Sequence, residues 1–122
     1  PYLVYQKEAE PEYWMEEAFS ANTANTVLEG LKKVISDPNG TGSEAHRADV
    51  VLAGKTGTAE VKASQEDTSG TELGWFAVMT PEKETKSPIL MVNMVEDVKD
   101  RGGSGYVVGK DKQILDNWFE NH

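Results

Sequence analysis

The sequence has 122 residues, 38% of them hydrophobic and 27% charged, which suits one globular unit with a modest core and leaves too little chain for two. Twelve basic residues against twenty-one acidic ones give a net charge of −9, which opposes the attraction to phosphate on which nucleic-acid binding rests, so no nucleic-acid partner is expected. The absence of cysteine removes a disulfide framework, a thiolate metal site and a cysteine nucleophile together, and apolar runs such as Ile89 to Val92 fall far short of the roughly 20 residues that span a bilayer.

The chain opens on Pro1, without an initiator Met or a charged-then-apolar signal segment, and reads as a piece of a longer protein. Residues 1–22 show no clean period and are expected to form a short strand and a loop. Ser20 or Asn22 can cap a helix, because a side-chain oxygen accepts from the unpaired amides of a first turn. Val27, Leu28, Leu31, Val34 and Ile35 then follow a helical period, which predicts one amphipathic helix over about 23–36. Asp37-Pro-Asn-Gly40 stops it, since proline cannot continue a helix and Asn-Gly favours positive φ.

A polar loop runs to Asp49, and a β-favouring segment follows over about 50–62. The polar tract Lys62 to Glu72 separates it from a second strand over about 73–80, an arrangement that reads as a long hairpin. After a charged turn, the mostly apolar segment 88–96 is expected to be a strand covered on both faces. The glycine cluster around Gly102, Gly103 and Gly105 makes a turn. A last helix, about 108–120, presents Ile114, Leu115, Trp118 and Phe119 on one face. Short links between successive strands favour an antiparallel sheet with helices packed on it, an α+β fold.

Lys55-Thr56-Gly57 on the first of these strands makes sense as an edge that recognises an anion. The Lys55 ammonium is a point charge, the Thr56 hydroxyl a rotatable donor, and Gly57 lets a ligand approach the backbone. A strand amide at Thr58 could stabilise a developing oxyanion. Gly54-Lys55-Thr56 is not a phosphate-binding P-loop: that motif needs glycine where Asp49 stands, and it opens a helix and not a strand.

The segment Gly54-Lys-Thr-Gly-Thr-Ala-Glu60, followed by Gly74-Trp-Phe-Ala77 and Met91-Val-Asn-Met-Val-Glu-Asp97, closely resembles the end of class B penicillin-binding proteins of Gram-positive bacteria. Tyr13-Trp14 and Thr23-Ala-Asn-Thr-Val-Leu28 resemble the same family's approach to its Lys-Thr-Gly strand. Lys-Thr-Gly is the third motif of this serine acyl-enzyme group. The resemblance implies the C-terminal part of a D,D-transpeptidase domain that cross-links peptidoglycan stem peptides and is acylated by β-lactams. It further implies that Lys55 and Thr56 hold the carboxylate of peptide or antibiotic, that Gly57 and Thr58 line the same cleft, and that the Thr58 amide joins the oxyanion hole. A place on the extracellular face of the cell membrane, anchored by an upstream segment, follows from the same likeness. The alternative is the extracellular β-lactam sensor domain of a signalling receptor, which shares the fold and the motif.

The pattern is incomplete. Family chemistry begins with a serine activated by a lysine three residues on, yet Ser20, Ser36, Ser43, Ser64, Ser69, Ser87 and Ser104 are followed at that distance by Thr, Asn, His, Asp, Glu, Leu and Val. The nucleophile is therefore expected elsewhere, and the partners are the remainder of the parent domain or a second copy at an exposed strand edge. Ser20-Ala-Asn22 matches the family's second motif in letters but lies too close to Lys55, and it reads as a helix cap. His46 reads as a loop residue, and Trp75 and Phe76 as core. Glu96, Asp97 and Asp100 lack the spacing of a calcium loop. No cofactor or metal is implied.

Overall fold

The computed structural model describes residues 15–122. The expected first strand, with Tyr13-Trp14, lies largely within 1–14, outside the described residues. Helix α1 spans Ala21–Ser36 and is capped by Ser20, whose hydroxyl accepts from the Thr23 amide at 3.1 Å. Its apolar stripe is only partly used. Ile35 is buried while Val27 is 57% exposed, so the helix packs by its C-terminal end.

The stop after α1 works differently from the expected positive φ. Among the described residues the positive-φ glycines are Gly102 and Gly103, and Gly40 is not one of them. A Cβ on Gly40 would lie 2.3 Å from the Val34 carbonyl oxygen, so the position needs glycine for close approach. The Gly42 amide also donates to that carbonyl, at 3.0 Å, and a short 3-10 turn at Ser43–Ala45 leads into the sheet.

Strands β1 (Ala53–Val61), β2 (Thr71–Met79) and β3 (Leu90–Val95) form an antiparallel sheet in the order β1-β2-β3. Helix α2, Ser104–Asn121, completes the α+β fold. It starts earlier than the periodicity suggested because Gly103, at φ 61, ends the turn and caps it. Its buried stripe is Val107, Val108, Asp111 and Leu115, while Ile114, expected on the packed face, is 49% exposed.

Register decides what each face of the sheet meets. Gly54 opposes Val78, Thr56 opposes Phe76 and Thr58 opposes Gly74, and β3 continues this face with Met91, Asn93 and Val95. Both helices lie on it. A Cβ on Gly54 would meet Ile35 of α1, and one on Gly74 would meet Val107 of α2 at 2.9 Å. Phe76, fully buried, sits at the centre with Val78, Val98, Val107 and Leu115 around it.

The other face carries Lys55, Gly57, Trp75, Leu90, Val92 and Met94, and nothing in the described residues covers most of it. Leu90 is 73%, Val92 58% and Trp75 40% exposed. Two expectations change accordingly: β3 is covered on one face and not on both, and Trp75 is not core although Phe76 is. The apolar run in β3 suits burial on two sides, but only one covering layer lies within the described residues.

Candidate functional site

Edge strand β1 holds Lys55, Thr56, Gly57 and Thr58 in succession, so alternation along the strand divides them between the two faces. Lys55 is exposed on the uncovered face, and its ammonium donates to the Thr56 carbonyl. Gly57 shares that face, where a Cβ would pack 3.5 Å from the Cβ of Trp75. Thr56 points the other way and is buried, its hydroxyl 2.7 Å from that of Thr41 in the loop after α1. Thr58 shares the Thr56 face and is exposed; its hydroxyl lies 3.6 Å from the point a Cβ on Gly103 would occupy.

The Lys55 and Thr56 side chains are therefore not brought together. What joins them is the outer edge of β1, which has no strand partner among the described residues. Thr41 was missed by sequence reasoning, since a threonine in a polar loop carries no signal that it will meet Thr56.

Two cavities among the described residues leave the Lys-Thr-Gly segment outside their walls. The larger, about 670 Å³, lies between the loop before β1, the β2–β3 turn and the end of α2, with His46, Arg47, Phe119 and His122 in its walls. The smaller, about 350 Å³, lies under the β1–β2 loop and is bounded by Glu60, Asp67, Thr71 and Lys99.

Fixed ion pairs stand before β1 and on α2, and none of them includes Lys55. Arg47 makes a two-pronged contact to Asp49, both bonds at 2.9 Å, and also donates to Asp116 of α2; its cation lies 5.3 Å above the Phe119 ring. Asp49 raises the Arg47 pKa, and Lys112, with Arg47, holds Asp116 below the ordinary carboxylate range. This clamp ties the loop before β1 to α2. Asp111 differs, being 1% exposed with one oxygen accepting from Asn93 at 2.6 Å and the other without a partner. Burial raises its pKa, only partly opposed by Asn93.

Among the described residues no three of His, Cys, Asp and Glu converge to hold a metal ion. Asp97, at φ 58, instead accepts from the Thr71 hydroxyl at 3.0 Å. Among the same residues no helix is long and apolar enough to cross a membrane.

An antiparallel sheet with two helices on one face and a Lys-Thr-Gly edge strand defines the class. The profile of the penicillin binding protein transpeptidase domain matches residues 1–117, and the chain belongs to that family. It is 36% identical over 113 residues to penicillin-binding protein 3 of Bacillus subtilis (strain 168), an alignment covering 93% of this chain and 16% of that protein. Its fold is similar to the unliganded TP domain of Burkholderia pseudomallei penicillin-binding protein 3, with a TM-score of 0.54 and 23% identity. That match covers 80% of this chain and 30% of the other. The chain thus spans under a third of either protein, and neither likeness favours the sensor reading.

Proposed function

We propose that this chain supplies the carboxylate-binding edge of the active site of a serine D,D-transpeptidase, which cross-links peptidoglycan stem peptides and takes β-lactams as acylating analogues. The observation that carries the reading is the position of Lys55, a cation on an edge strand that faces an apolar, uncovered sheet surface. The part of the parent domain that covers this surface brings the nucleophilic serine and its lysine, because no serine here has a lysine three residues on. Lys55 attracts the ligand carboxylate, the Thr56 hydroxyl exchanges its bond with Thr41 for one to the ligand, and the Thr58 amide stabilises the oxyanion. The domain works on the outer face of the cell membrane, held by a segment upstream.

Intact mass after incubation with a fluorescent penicillin tests this division. The expected result is no adduct on the chain alone and one acyl group on the full-length protein that contains it. An acyl group on the chain alone would overturn the assignment of the nucleophile to another part. A full-length protein that takes up no penicillin would overturn the transpeptidase reading itself.

A further inference from the structure

The β1–β2 hairpin ends in a nine-residue loop, 62–70, that begins just past the Lys-Thr-Gly edge. Loops of this length without secondary structure swing freely unless something fixes them. Inside the loop, Asp67 accepts from the Ala63 amide at 3.0 Å and from the Ser69 amide and hydroxyl at 2.8 and 2.6 Å. These bonds give the loop a shape but not a direction.

Direction comes from outside. The Lys99 ammonium donates to the Thr68 carbonyl at 2.7 Å and the Gly70 carbonyl at 3.1 Å. Lys99 stands on a firm base in the connector between β3 and α2. Its neighbour Val98 is fully buried, donates its amide to the Glu72 carbonyl at 3.0 Å, and accepts from the amides of Arg101 and Gly103. The same connector ends at Gly103, where a Cβ would lie 3.6 Å from the Thr58 hydroxyl. One lysine therefore joins the loop beyond the edge strand to the turn that flanks Thr58.

We propose that Lys99 is a positioning residue for the ligand-binding cleft: it latches the β1–β2 loop to the β3–α2 connector and so fixes the wall beyond Thr58, where the part of an acyl donor distal to its carboxylate lies. The role rests on the transpeptidase reading above. Lys99 touches neither ligand nor reacting atoms, so its loss acts on capture and not on the chemical step.

The test uses the full-length protein with Lys99→Met and Lys99→Arg. Amide exchange in 63–70 should quicken about three- to tenfold in Lys99→Met, as expected for losing a charge-assisted tether near solvent, and return toward wild type in Lys99→Arg. Penicillin acylation should need about three- to tenfold more antibiotic for half-saturation in Lys99→Met, with the maximal rate unchanged. Unchanged exchange overturns the latch. Faster exchange with unaltered acylation overturns the positioning role, as does a fall in the maximal rate alone. A wild-type protein inert to penicillin overturns the underlying reading and the role with it, a result distinct from an active protein indifferent to Lys99.

Discussion

Replacing Lys55 by alanine in the full-length protein separates recognition from folding. In the structure Lys55 is exposed, is absent from the ion pairs of the described residues, and gives its one hydrogen bond to the neighbouring Thr56 carbonyl. Folding stability should therefore change by no more than about 0.5 kcal/mol, the usual range for a surface position. Recognition is another matter. A unit charge pair about 4 Å apart attracts by roughly 1 kcal/mol in bulk water and about 4 kcal/mol at the effective dielectric of a protein surface, and a cleft covered on one side falls toward the second value. A loss of about 2–4 kcal/mol corresponds to a roughly thirty- to nine-hundredfold fall in the second-order rate of acylation. Stopped-flow or gel-based labelling with a fluorescent penicillin measures the rate, and thermal denaturation measures the fold. Acylation at the wild-type rate, or loss of the folded state, would refute the reasoning.

Two further outcomes follow from the packing and the titrating groups. Phe76→Ala should cost about 3–5 kcal/mol in chemical denaturation, since the ring is fully buried between α1, α2 and the glycines that admit it, and a loss under about 1 kcal/mol would show that it is not central to the core. The Asp67 carboxyl, held by Ser69 and Ala63, has its pKa lowered from 3.8 to about 2. A depressed carboxylate pKa stabilises the loop above the unfolded value, and that contribution fades as pH falls from about 4 to about 2. Carboxyl-carbon NMR should place the Asp67 midpoint near the lower figure, and a midpoint near the ordinary value would show the loop bonds to be absent in solution.

The sequence was informative where local rules act alone. Ser20 as cap, a helix ending at Ser36, and three strands separated by polar links all follow from capping chemistry and apolar period, and the antiparallel α+β arrangement follows from the short links. Strand faces were less legible. The run Ile89 to Val95 is apolar at nearly every position, so nothing in it distinguishes a face under α2 from one left open, and only the pairing of Phe76 with Asn93 and Trp75 with Met94 separates them. The buried face of α2 is hidden for a related reason: a buried Asp111 breaks the apolar pattern, and the stripe shifts toward Val107 and Val108. The partners that fix the site's surroundings were invisible. Thr41 with Thr56, Arg47 with Asp116 and Lys99 with Thr68 are separated by 15, 69 and 31 residues, and no local signal links such positions.

The two faces of the sheet tie the stability of the fold to its chemistry. On one face α1 and α2 seal Phe76, Val78 and Thr56, so the backbone of β1 is held by packing from within the chain. On the other, Lys55 lies in register with Ala77 and Val92, in an apolar field beside Trp75 and Met94. An exposed apolar face of this kind gains free energy when covered, at roughly 25 cal/mol for each Å² removed from water. The same covering lowers the dielectric around Lys55 and strengthens its attraction for a carboxylate. On the proposed function, covering the sheet and arming the lysine are one event. A substitution that weakens the apolar face with an anion, such as Val92→Asp, should therefore slow penicillin acylation of the full-length protein even though it touches no ligand, and an unchanged acylation rate would refute the link.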